Sequence, residues 1–319
     1  MKTKSSKGLS RLMPLAAGVI MLLTFASCET TDKLTAGMQK ASDKITEKGQ
    51  AISDKNRVKI DESREANKKA KEDITPEQEY YIGRDVAAKV LSNYKLYQNA
   101  KATAYVNEIC TALTSASDMP DIYNGYHVGI LDTKEINAIS TPGGHILVTR
   151  GLLECAASED ELAAVIAHEV GHIQLKHAVK SIRTSRGNEA TQSLFSAAGS
   201  ILTGGSYQEG LGSAAGSLMT TLSTTGYSKT LEYEADVKAA DLMAGAGYNP
   251  EALATMLEGL QEREKTQTAG MVKTHPSASS RLLQVRGHIR GLLRAEAKGT
   301  ASFNEAKRTA RFAAVKDAL

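Results

Sequence analysis

Between Ser158 and Ile173 the apolar residues Leu162, Val165, Ile166, Val170 and Ile173 recur at helical spacing, which predicts a helix with one face in a core. Ser158 followed by Glu159, Asp160 and Glu161 reads as its N-cap and capping box, with acids in the first turn where the helix dipole favours them. Upstream, Thr75-Pro76-Glu77-Gln78 is a second capping box with proline at the first helical position. It predicts that folded structure begins there, with helices near 76–94 and 100–116. Tyr126 to Leu131 and His145 to Thr149 are rich in β-branched and aromatic residues and are separated by Asn137 and the Pro142-Gly143-Gly144 turn, so they read as strands of a small sheet. Further on, Leu231 to Asp236 runs into Ala239, Ala240, Leu242 and Met243 and predicts another helix, and Asn249-Pro250 starts one more. Lys265 to Thr274 reads as a loop. Ser193 to Thr225, dominated by Ala, Gly, Ser and Thr, is either a pair of helices with a flexible joint at Gly204-Gly205, the preferred reading, or a mobile lid.

The two ends of the chain change this picture. Lys2, Lys4, Lys7 and Arg11 precede an apolar stretch from Leu12 to Ala26 that is interrupted by Pro14 and shorter than the about 20 residues of a membrane span, so residues 1–27 read as a secretory signal peptide. Its end, Leu23-Thr24-Phe25-Ala26-Ser27-Cys28, resembles a bacterial lipobox with Cys28 as the lipidated first mature residue. Phe25 departs from the usual aliphatic residue, which leaves cleavage without lipidation, and a soluble periplasmic protein, as the alternative. Residues 29–74 hold 21 charged residues, no proline and no aromatic, too polar for a core of their own, so 28–74 reads as a lipidated cysteine and charged tether. The whole chain carries +3, but removing 1–27 removes four positive charges and leaves −1. No concentrated basic surface remains, which argues against a nucleic-acid partner. At the other end, 294–319 reads as a C-terminal tail with Arg308, Arg311 and Lys316 on a solvated helix face. Cys110 and Cys155 sit in apolar helical contexts, where they either pair or stay buried, and neither has the histidine constellation of a catalytic thiol.

The chemistry concentrates in His168-Glu169-Val170-Gly171-His172. Two histidines four apart on a helix start about 6 Å from each other and converge on one metal ion, with a glutamate beside them as a base. With seven histidines in 319 residues, an accidental match is expected in roughly one chain in a hundred, so chance is a weak rival. A catalytic zinc needs a third protein ligand and an open position. His177, five residues past His172, points elsewhere on a continuous helix and reads as a solvated helix-end residue. Glu232 and Asp236, again i and i+4, are the better source, although acids opening a helix are often only dipole partners.

Taken in order, Glu161 to His172, Glu232-Tyr233-Glu234-Ala235-Asp236, Thr274-His275-Pro276 with Arg281, and the earlier Ile136 to Leu153 resemble the gluzincin family of zinc endopeptidases that includes HtpX and the CAAX prenyl proteases. The likeness spans about residues 75–293. It implies an α+β fold, a mostly helical zincin-like metalloprotease domain with a small β-sheet beside the zinc helix. It further implies one Zn2+ on His168, His172 and Glu232, with Asp236 orienting the site, Glu234 facing away and Glu169 as general base. His275 and Arg281 are candidates for oxyanion stabilisation, for a hydrogen bond to an acidic neighbour, or for occluding the site; His275 also reads as a simple helix-start turn. An edge strand of the sheet is expected to pair with extended, unfolded substrates. The reading is a periplasm-facing membrane lipoprotein that hydrolyses unfolded or misassembled envelope proteins. The alternative is a chaperone-like or assembly-factor lipoprotein with an occluded zinc site, favoured if His275 is a fourth ligand.

Overall fold

A computed structural model describes residues 75–184, 226–264, 274–275, 278–296 and 305–319, together with the single positions Lys40, Glu47, Leu218 and Leu222. The expectations for the signal peptide, Cys28, the tether, the 193–225 segment and most of the 265–274 loop fall outside these residues. Helix α1 (Pro76–Asn93) opens as its capping box demands, with the Thr75 side chain accepting from the Gln78 amide at 3.2 Å and Gln78 accepting from the Thr75 amide at 2.9 Å. Helix α2 (Ala100–Ser115) is capped by Asn99 and buries Val106, Ile109, Cys110 and Leu113. No helix among the described residues is long and apolar enough to cross a membrane.

The sheet has three strands, β1 (His127–Leu131), β2 (Ala138–Ser140) and β3 (His145–Thr149), in the order β1-β3-β2. β3 pairs parallel with β1, His127 opposite His145, and antiparallel with β2, Ala138 opposite Val148. Periodicity did not expose β2, because all three of its residues are buried and show no alternation. The β2–β3 turn needs glycine: Gly143 has φ 73°, and a Cβ there would lie 2.3 Å from the Tyr80 Cα. After the short α3 (Arg150–Leu153) comes α4 (Glu159–Gln174), the axis of the fold.

Every residue of α4 is buried, which corrects the expectation of one buried face. It packs on α2, on β2, on α6 (Lys229–Gly245), on α7 (Glu251–Glu264) and on α9 (Glu305–Val315), while α8 (Ala278–Glu296) closes over α6 and α7. Its cap is displaced by one residue from a strict box: Ser158 accepts from the Glu161 amide, but the Glu161 carboxylate accepts from Ala157 at 2.7 Å. A helix buried on all sides must pair each polar group it carries. Glu159 accepts from Tyr105, Tyr248 and Arg311, and Asp160 from the Asn249 amide and Arg308 at 2.8 Å each.

Arg308 overturns the reading of a wholly solvated tail, while Arg311 and Lys316 stay exposed as expected. Arg308 is only 6% exposed, it donates also to the Gly247 carbonyl, and Phe312, Val315 and Leu319 join the main core. Helix α9 and the following 3-10 turn (Lys316–Ala318) thus belong to the folded unit and brace the acidic N-terminus of α4. Cys110 and Cys155 are both free thiols, Cys110 buried and Cys155 half-buried.

Candidate metal centre

Helix α4 presents His168 and His172 one turn apart, and their Nε2 atoms lie 3.0 Å from each other. Helix α6 crosses α4 closely because Gly171 has no side chain: a Cβ there would sit 3.0 Å from the Ala235 carbonyl oxygen. That approach brings Glu232 to the two rings, its Oε2 3.4 Å from His168 Nε2 and its Oε1 3.4 Å from His172 Nε2. Three donors held about 2.0 to 2.1 Å from a tetrahedral zinc ion are separated from one another by about 3.4 Å. The observed triangle fits that ion, and the buried Glu232 Oε1 has no hydrogen-bond partner among the described groups, as a carboxylate reserved for a metal would. His275 adds a fourth buried donor atom, and all four lie within 4.8 Å of one another.

Around the triangle the charges are ordered. Asp236, one turn beyond Glu232, stands 2.9 Å from His168 Nδ1 and takes two bonds from Arg281, from Nε at 2.8 Å and Nη2 at 2.6 Å, while the same Nη2 lies 3.1 Å from His168 Nδ1. Arg281 on α8 also stands 3.6 Å from Glu232, and His275 Nδ1 stands 2.7 Å from the Glu232 Oε2. Burial would raise the Glu232 carboxyl, but the charge of His275 and the imidazoles of His168 and His172 beside it outweigh burial and hold the pKa well below the usual range. Asp236 is likewise lowered, burial being overcome by Arg281 and His168. For His168 burial and Arg281 press downward, yet Asp236 and Glu232 carry its pKa to about 9. His172 is lowered, chiefly by burial.

Glu169, 1% exposed, lines a small pocket together with Ala138, Ile139 and Ser140 of β2, Tyr227, Thr274 and His275. Its Oε1 and the Ser140 Oγ are buried without a hydrogen-bond partner among the described groups. Unsatisfied polar atoms of this kind, gathered along an edge strand, are suited to a polar ligand lying in the cavity. A second small pocket, sharing Ser140 and Tyr227 with the first, is lined by Pro142, His172, Ile173 and Val179 with Glu79 and Lys176.

The structure thus gathers His168, His172, Glu169, Glu232, Asp236, His275 and Arg281 in one buried centre. Of the readings for His275, the hydrogen bond to an acidic neighbour is the contact observed, while Arg281 makes its principal pair with Asp236. His145 stands apart from the centre, half-buried beside Tyr80. Two participants escaped the sequence reading. Tyr227 stacks on the His172 ring, centroids 4.3 Å apart and 18° between planes. His177, expected to be solvated, is fully buried and its Nδ1 lies 2.8 Å from His172 Nδ1. On an unbroken helix five residues would carry it about 140° away. Instead α4 ends at Gln174, Lys176 adopts a left-handed φ of 54°, and α5 (His177–Thr184) starts anew with His177 turned back on the site. No glycine or proline marks that break, so only the opposite partner, Glu234, hints at it.

Comparison with known proteins agrees with this centre. Residues 100–289 match Peptidase family M48. The chain is 28% identical over 213 residues to the beta-barrel assembly-enhancing protease of Escherichia coli O157:H7, covering 66% of this chain and 43% of that one. It is 32% identical over 215 residues to the metalloprotease LoiP of Escherichia coli K12, covering 66% and 83%. It is 29% identical over 225 residues to the mitochondrial metalloendopeptidase OMA1 of Schizosaccharomyces pombe, covering 69% and 64%. The chain therefore spans under half the length of the assembly-enhancing protease and most of LoiP. With a match over more than half its length, and the histidine pair and acidic helix close enough together to hold one metal ion, this chain belongs to Peptidase family M48.

Proposed function

We propose that this chain is a zinc metalloendopeptidase of the bacterial cell envelope, exported by its N-terminal signal, anchored through lipid on Cys28 and facing the periplasm. Its substrates are unfolded or misassembled polypeptides. The observation that carries the reading is the buried triangle of His168, His172 and Glu232 with Glu169 on the wall of the adjoining cavity. The relatives, a beta-barrel assembly-enhancing protease, a metalloprotease and a metalloendopeptidase, support the class of reaction.

In this reading His168, His172 and Glu232 hold the ion, and Asp236 fixes His168 with its lone pair on Nε2. When bound there, zinc would supply a Lewis acid for the scissile carbonyl and would bring the pKa of a water toward about 7. Glu169 takes the proton from that water and hands it to the leaving amine, so it needs a free carboxylate oxygen, as its Oε1 is. An extended substrate pairs with the outer edge of β2 through its main chain, which makes recognition broad and excludes folded proteins. Arg281 neutralises Asp236 and Glu232, keeping two buried acids ionised beside each other.

A second reading, a binding or assembly factor with a closed metal site, rests on one contact. His275 is buried 2.7 Å from Glu232, close enough to serve as a fourth donor. Cleavage of casein by the full chain, with zinc quantified, separates the two. Zinc-dependent cleavage that Glu169→Gln abolishes while zinc is retained supports the protease. Bound zinc without cleavage, with cleavage gained in His275→Ala, supports a closed site. Cleavage by Glu169→Gln at the wild-type rate sinks the mechanism.

A further inference from the structure

A histidine can offer Nε2 to a metal only when its proton sits on Nδ1, and that proton needs an acceptor. For His168 the acceptor at hand is a carboxylate: Asp236 stands 2.9 Å from Nδ1, with Arg281 Nη2 beside it at 3.1 Å. For His172 no carboxylate among the described residues is bonded at Nδ1. What stands there is His177 Nδ1 at 2.8 Å, on a ring with no exposed surface. Two ring nitrogens facing each other form a hydrogen bond only if one is protonated and the other is not. With the His172 proton on Nδ1, His177 Nδ1 must be the bare acceptor and its own proton must sit on Nε2. That nitrogen lies 3.2 Å from Glu234 Oε2, which also accepts from Lys180 at 3.1 Å. Glu234 is 43% exposed, so the chain of bonds runs from the surface to the centre.

We infer that His177 and Glu234 are positioning residues for the metal, a histidine-bridged carboxylate that sets the tautomer and ring angle of His172. The two metal-facing histidines are then held by different means, His168 by a carboxylate directly and His172 by a carboxylate acting through a second imidazole. Tyr227 fixes the remaining freedom of the His172 ring by stacking on its face. The placement of His177 explains the left-handed Lys176: the turn exists at a residue that disfavours it, and it delivers an acceptor to His172. Glu234, between Glu232 and Asp236 on α6, faces away from the ion and still serves it.

This inference rests on the metal reading above, and zinc affinity rather than turnover tests it. In the full chain, the zinc dissociation constant is measured by chelator competition for wild type, His177→Phe, His177→Asn and Glu234→Ala, with thermal unfolding of each in chelator. Phenylalanine keeps the buried ring and removes the acceptor; asparagine returns an oxygen where Nδ1 was. The expected result is zinc binding weakened about 10- to 100-fold in His177→Phe, restored to within about threefold in His177→Asn, and weakened by a smaller factor in Glu234→Ala. Wild-type affinity in His177→Phe overturns the proposal. So does an asparagine variant as weak as phenylalanine, which reduces His177 to packing. Should His177→Phe fail to fold, Glu234→Ala decides at the surface, and unchanged affinity there removes the carboxylate's part. A wild-type chain that takes up no zinc sinks the metal reading itself, an outcome distinct from intact wild-type binding with indifferent variants.

Discussion

Arg308→Met probes whether the C-terminal helix is part of the catalytic unit. Arg308 is buried, its Nε donates to Asp160 at 2.8 Å, and its guanidinium lies over the Tyr248 ring at 5.2 Å. Methionine keeps the aliphatic stem and removes the charge, leaving Asp160, 7% exposed in the native protein, with the Asn249 amide as its other donor among the described residues. Removing one partner of a buried ion pair costs about 3–5 kcal/mol. The N-terminus of α4 offsets about 0.3–1 kcal/mol of that, because its dipole favours an anion in the first turn. The expected net loss is about 3 kcal/mol, and for a unit of this size it lowers Tm by about 6–12 °C. A solvated arginine would change stability by no more than about 0.5 kcal/mol. Thermal unfolding followed by circular dichroism measures the difference, and Asp160→Asn in the same chain should recover part of the loss because no uncompensated charge remains. A melting point within about 2 °C of wild type would refute the buried brace.

Other expectations follow from the same geometry. Glu232→Ala should lower zinc content sharply with the fold retained, and unchanged stoichiometry by atomic absorption would remove its ligand role. Gly171→Val should push α6 off α4, since even a Cβ meets the Ala235 carbonyl at 3.0 Å, so zinc affinity and Tm fall together; a variant with both intact contradicts the close crossing. Burial pushes the Cys110 thiol up to about 12 and also raises Tyr105 and Tyr248, so the native state keeps protons that the unfolded chain releases from about pH 9 upward. The stability these groups contribute is full below that pH and is lost as pH rises toward 12. The urea midpoint should therefore drop between pH 8 and pH 10, and an unchanged midpoint refutes it.

The metal motif was legible because its chemistry is local. His168, Glu169 and His172 share one helix, and a four-residue spacing on an α-helix dictates what can converge. The caps at Thr75 and Ser158 were legible for the same reason, each being a bond between residues three or four apart. Glu232 and Asp236 were separable from ordinary dipole partners only through the family resemblance, since nothing local distinguishes an acid beside a metal from an acid beside water. What the tertiary structure alone decided lies in contacts between distant segments. Arg308 looks like part of a solvated face until Asp160, 148 residues earlier, is brought beneath it, and Arg311, though exposed, reaches Glu159 in the same way. β2 is buried on every residue and leaves no alternation, and the α4–α5 turn occurs at Lys176 without glycine or proline, so His177 reads as pointing away. Periodicity reports which residues one element hides from water; it carries no information on which other element hides them, and that pairing is what turns a histidine motif into a centre with ordered protons and balanced charge.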